Sequence, residues 1–141
     1  MNIFCLAEFK VEFEKLKSKN SYSSIESDMI DYFFNKTVEE LSTGTRLNNS
    51  STTPYIKKRI NGRGGFRFYF LLIIKDENLF LMFVHPKAGS LGNENITDES
   101  KAYLYKKVLE CIKANELFEL TLDLHGNHII FRKIDNLSSS K

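Results

Sequence analysis

Not one Asp or Glu occurs between Leu41 and Lys75. The same window holds seven basic residues, Arg46, Lys57, Lys58, Arg59, Arg63, Arg67 and Lys75, so a chain with a net charge of only +2 carries its positive charge on one side. Clustered charge of one sign concentrates a polyanion or an anionic substrate, which makes nucleic acid the first partner to consider. Long apolar runs are missing too. The longest, residues 68–74, is far short of the roughly 20 residues that span a bilayer, so no membrane partner is expected. Cysteine is scarce: Cys5 and Cys111 lie far apart, offer no disulfide framework, and read as small buried apolar residues of a reducing compartment. The start, MNIFCLAEFK, lacks a basic segment and meets acid at Glu8, which argues against a signal peptide or a lipid on Cys5 and leaves the cytoplasm as the expected location. No internal repeat is visible.

What the chain does have is enough apolar material for one core. At 141 residues, 42% hydrophobic with twelve phenylalanines, it reads as a single domain over residues 1–135, followed by a Ser-rich tail, 136–141, expected to be disordered. Loose alternation predicts a first strand over residues 3–11, and Phe13 and Leu16 amid charged neighbours predict a short helix after it. Ser23 followed by Glu26 has the spacing of a capping box. Ile25, Met29, Tyr32 and Phe33 behind it recur at helical spacing, giving a second helix that ends near Asn35 or runs on toward Leu41. Residues 42–54 read as a polar surface loop. Three strands follow, 55–60, 66–74 and 79–85, joined by NGRGG and KDEN into an antiparallel meander. Thr97, with Asp98 and Glu99, opens a helix whose Leu104, Val108, Cys111 and Ile112 share one face, and LFELTLDL, HGN and HIIFRKI form a final hairpin. The fold class is α+β: an antiparallel sheet in the order β-α-α-β-β-β-α, helices on one side, with an extra C-terminal β-hairpin.

Alternation decides which charges act together, because residues two apart on a strand point the same way. Tyr55, Lys57 and Arg59 share one face and Ile56, Lys58 and Ile60 the other, while Arg67 and Tyr69 lie opposite Phe66, Phe68 and Phe70. With the phenylalanines in the core, Lys57, Arg59, Arg67 and Arg63 of the intervening loop can converge on one patch, and the loop glycines let a phosphate backbone approach. The third strand ends in FVHPK. His85 adds a group that titrates near neutrality, the range a general acid or base needs, and Lys87 adds a further cation. Such a face has the parts for RNA transesterification, in which a base takes the 2′-hydroxyl proton, cations hold the charge added at phosphorus, and an acid protonates the leaving 5′-oxygen. The plainer alternatives are a solvated sheet face and a strand-end histidine bonded to backbone.

YIKKR, GRGGFRFYF, LFLMFVHPK and NITDES, in that order, resemble the RelE/ParE superfamily of bacterial toxins, particularly its RelE-like and HigB-like ribonucleases, over roughly residues 13–112. The resemblance implies a toxin neutralised by a cognate antitoxin protein and cleaving messenger RNA on the ribosome without a cofactor or metal. It implies catalytic roles for Arg67 (transition-state phosphate), His85 (acid/base), Lys87, Lys57 and Arg59 (phosphate). RNA contacts are expected from Tyr55 and Tyr69, by stacking on bases, and from Lys58, Arg63 and Arg46. An acid or Asn often follows the family's Pro-Lys step, whereas AGSLGNEN follows here, and neither Tyr103 nor Tyr105 supplies a second tyrosine acid/base. Residues 117–134 are extra, and such a hairpin either covers a sheet edge or forms a homodimer.

Two rivals keep the basic face but not the chemistry: a ParE-like inhibitor of DNA gyrase, and a nucleic-acid-binding module without activity. Asp123, His125 and His128 in DLHGNH suit a hairpin turn better than a zinc site, because firm ligand spacing is missing. Gly62, Gly64 and Gly65 precede a strand rather than a helix, without GKS or GKT, so they are not a nucleotide-binding loop.

Overall fold

The computed structural model describes residues 1–19, 23–46, 50–60, 66–86, 106–107, 109–111, 113–114 and 116–134; for His85 and Pro86 it describes the backbone. The first strand, β1, is short (Asn2–Leu6) and gives way at once to α1 (Ala7–Lys17). The strand expected to run to Val11 therefore stops five residues earlier. Phe9, Phe13 and Leu16 are all buried and share one helical face, and Val11 is more than half exposed. From Ala7 on, burial of that face outweighs local alternation.

Helix α2 spans Ile25–Phe33, and a separate short helix, α3, spans Val38–Leu41. The capping box lies at α3, not α2. Glu40 N–H donates to Thr37 Oγ1 at 3.2 Å and Thr37 N–H donates to Glu40 Oε1 at 3.0 Å. Ser24 is the N-cap of α2, and its side chain makes no capping bond. Glu26 instead turns inward, only 7% exposed, and accepts from Ile129 N–H at 2.8 Å, with His128 Nδ1 at 3.0 Å and Lys17 Nζ at 3.3 Å. Burial pushes the Glu26 carboxyl upward, but those three partners outweigh it and hold the group below the usual carboxylate range.

The remaining strands are β2 (Thr45–Arg46), β3 (Tyr55–Ile60), β4 (Phe66–Ile73), β5 (Asn78–Pro86), β6 (Leu117–Leu122) and β7 (Ile129–Ile134). They form one sheet in the order β2-β3-β4-β5-β1-β6-β7. The meander β3–β4–β5 is antiparallel, β1 lies parallel to β5, and β6 pairs antiparallel with β1. The final hairpin thus covers the free edge of β1. The loop expected at 42–54 contains β2, which adds a two-residue strand to β3. Asp123 closes the β6–β7 turn by accepting from Asn127 N–H at 2.8 Å and His128 N–H at 3.3 Å.

A central strand must be apolar on both sides, and Ile3, Phe4, Cys5 and Leu6 are all buried. Ile3 and Cys5 join the main core with Phe66, Phe68, Phe70 and the inner faces of α1–α3. Phe4 and Leu6 join a second cluster on the opposite face, with Tyr55, Tyr69, Leu71, Phe80, Met82 and Leu117. Cys111 belongs to that second cluster, and the described residues around it are helical. The face opposite α1–α3 is therefore not bare. It is apolar toward Leu71 and Phe80 and cationic toward Arg59 and Arg67. Among the described residues, no helix is long and apolar enough to cross a membrane.

Candidate nucleic-acid interface

The β3–β4 register sets Arg59 directly opposite Arg67 and Lys57 directly opposite Tyr69. Across the next ladder, His85 is the partner of Arg67 and Phe83 the partner of Tyr69. Directly opposed residues in an antiparallel pair belong to one face. Two rows result: Arg59, Arg67 and position 85, and beside it Lys57, Tyr69 and Phe83.

The second row depends on an irregularity. Tyr69 pairs with Phe83 while Phe70 pairs with Leu81, so Met82 is an extra residue in β5. Such a β-bulge breaks strict alternation. Leu79 and Leu81 pack in the main core, Met82 and Phe83 both pack in the second cluster, and Val84 returns to the main core. Without Met82 as an extra residue, positions 83 and 85 would fall on the helix-covered face.

Arg59 is exposed, and Lys57 and Arg67 are half-buried. Like charges directly opposite on neighbouring strands destabilise the sheet, so Arg59 beside Arg67 is an arrangement that an anion would relieve. Tyr69 sits under this charge: its ring meets Phe83 edge-on with centroids 5.2 Å apart, and it is 2% exposed. Burial raises its hydroxyl pKa, and the Arg67 and Arg59 charges only partly offset the rise. Tyr55 is 1% exposed, and burial together with Tyr69 pushes its hydroxyl far above the ordinary phenol range. Both phenols remain neutral near pH 7.

These burials correct the expected stacking role. Tyr55 and Tyr69 lie on the expected face, but their rings are packed into the second cluster and offer no platform to a base. Alternation in the sequence reported the face correctly and could not report what covers it. Lys58 also stands apart from the two rows, since it alternates to the other face and its Nζ lies 5.8 Å from the centroid of Tyr32. Arg46 is exposed at the sheet edge, opposite Ile56, where its Nη1 donates to Ser50 O at 3.2 Å. Arg63 and Lys87 lie outside the described residues, as does the His85 side chain.

Sequence reasoning missed a polar cleft at the β3 edge. Thr43, Gly44, Thr45, Lys57, Lys58 and Arg59 line a volume of ≈ 330 Å³. Gly44 is needed there because a Cβ would come within 2.5 Å of Ile56 Cγ2 and 2.9 Å of the Lys57 carbonyl oxygen. The signal in the sequence was the glycine in STGTR, within the stretch expected to be loop. In comparison with known proteins, no family model matches the chain and no curated protein matches its sequence.

Proposed function

We propose that this chain is a RelE-like toxin, an endoribonuclease that cleaves messenger RNA on the ribosome in the cytoplasm and is restrained by a cognate antitoxin. The observation that carries the reading is the row formed by Arg59, Arg67 and His85 across three adjacent strands. Arg67 and Arg59 hold the non-bridging oxygens of one phosphodiester, where charge grows as the 2′-oxygen bonds to phosphorus. His85 exchanges the proton: the 2′-hydroxyl loses one, the bond from phosphorus to the 5′-oxygen breaks, and that oxygen gains one. The products are a 2′,3′-cyclic phosphate and a free 5′-hydroxyl. Lys57 anchors the neighbouring phosphate. The reaction needs no metal ion, because the guanidinium groups supply the positive charge.

The buried, neutral Tyr55 and Tyr69 favour His85 as the acid/base group over either phenol. A second reading, a module that holds RNA without cutting it, draws on the same cationic face of Lys57, Arg59 and Arg67. Induced expression in a growing bacterium, with primer extension across cellular transcripts, separates the two. New transcript ends that vanish in Arg67→Ala and His85→Ala support the nuclease. Growth arrest with intact transcripts points instead to gyrase inhibition, and salt-dependent RNA binding without new ends points to the binding module.

A further inference from the structure

Lys57, Lys58 and Arg59 are consecutive, so on a strand they alternate faces and cannot meet a common ligand from above or below the sheet. They can meet one at an edge. Strand β3 has such an edge: β2 pairs only with Lys57 and Ile56, and the cleft opens beside Lys58 and Arg59. The geometry points to this cleft as a second phosphate subsite, taking a backbone phosphodiester of single-stranded RNA as the strand passes from the outer face around the β3 edge. The inference rests on the reading above for the identity of the polymer.

Three observations support it. First, among the described residues none of the ion pairs involves Lys57, Lys58 or Arg59, so the cleft gathers cations without carboxylates to neutralise them. Of the two acids on the preceding helix, Glu40 is engaged with Thr37 in the α3 cap, and Glu39 forms none of these ion pairs. Second, the positive charge continues past the edge. Lys36 and Lys58 both lie over Tyr32, at 5.2 and 5.8 Å from its centroid, so the cationic surface runs from Arg67 on one face to Lys36 on the other. Third, ≈ 330 Å³ lies at the small end of ligand sites, which run from about 300 to 1,000 Å³. That suits one phosphate with its sugar and is too little for a stacked base as well.

A strand held at the Arg59–Arg67 row and again at the edge would be bent over β3, which exposes the linkage between the two subsites. Arg59 borders both.

The test is an NMR titration of the full chain with a short 2′-O-methyl oligoribonucleotide, which lacks the attacking hydroxyl and so stays intact. The amides of Gly44 and Thr45 are expected to shift together with those of Arg67 and Tyr69. Lys58→Ala should weaken binding roughly three- to tenfold and lower the salt slope by about 0.7, the contribution of one single-strand phosphate. Lys58→Arg should restore both. Binding that moves Arg67 and Tyr69 but leaves Gly44 and Thr45 still overturns the edge subsite while sparing the ribonuclease reading. Shifts at Gly44 with inorganic phosphate but not with the oligonucleotide make it a free-anion site and overturn it equally. If no oligonucleotide binds at all, the subsite and the reading of the face fall together.

Discussion

Arg59 and Arg67 face one another as direct partners in the β3–β4 ladder, two guanidinium groups on one side of a sheet with Lys57 in the adjacent row. A sheet selected only for stability would not oppose like charges there. Replacing Arg67 with Ala should abolish cleavage while the melting temperature stays within a few degrees of the parent, because the side chain is not part of the apolar core. Arg59→Gln should lower activity and melt no lower than the parent in dilute salt. A large loss of melting temperature in both variants would make the pair structural.

Tyr69 supplies the contrary case. With its ring 2% exposed against Phe83, Tyr69→Ala should cost about 3–5 kcal/mol in urea unfolding, as removal of buried aromatic rings does. Tyr69→Phe keeps the ring and should retain cleavage within a few-fold. A Phe variant that folds normally and is inactive would return the phenol to the chemistry.

Glu26 makes a prediction about acid. Its folded pKa is depressed, so the stability it confers is complete above the unfolded value of about 4.3 and disappears as pH falls through that value toward the lower folded one. Melting temperature measured from neutral pH downward should drop more steeply in the parent than in Glu26→Gln. Some slope should survive in the variant, because Glu8 and Glu40 are depressed as well. Equal slopes would mean the carboxylate contributes nothing there.

Removing the carboxylate altogether is harsher. Glu26→Ala strands the buried Ile129 N–H, a loss of about 1–3 kcal/mol. Hydrogen exchange should report it locally, as faster exchange at the β7 end of the hairpin.

Gly44→Ala tests the edge. The added methyl meets Ile56 and the Lys57 carbonyl oxygen, and relieving the clash requires β2 to withdraw from β3. The expected result is about 1–3 kcal/mol of destabilisation, with lost protection at Thr45 and Arg46. An unperturbed variant would show that β2 can shift without consequence.

The strands of the meander were legible because FRFYF and YIKKRI alternate so regularly that their faces follow from spacing alone. The end of β1 was not, since Phe9 satisfies both a strand pattern and a helix pattern and only the packing of Phe13 and Leu16 decides between them. Ser23 and Glu26 have capping-box spacing, yet Glu26 is claimed by a backbone group 103 positions away. The box that does form, at Thr37 and Glu40, lies in the stretch where the expected second helix either ends near Asn35 or runs on toward Leu41, and neither alternative starts a new helix there. The cationic face was visible in the sequence as charge, and the extra residue in β5 was not. Strict alternation from Leu79 would send position 85 to the core side, and nothing in LFLMFVHP marks Met82 as the residue that breaks step. The burial of Tyr55 and Tyr69 depends on a second apolar cluster that includes Cys111, a long-range fact with no local signature.

The position of β1 bears on how the molecule is made. Strand β1 precedes the other six in chain order yet is an interior member of the sheet, and its two neighbours are drawn from residues 78–81 and 117–119. Sequence-distant pairing of this kind slows folding, because chain entropy is lost before the contacts form. The β3–β4–β5 meander can close from local contacts and so supply one partner of β1, while the other partner, β6, is still to come. The cationic surface is therefore drafted early in synthesis, and the body that holds it rigid is completed only when the closing hairpin arrives.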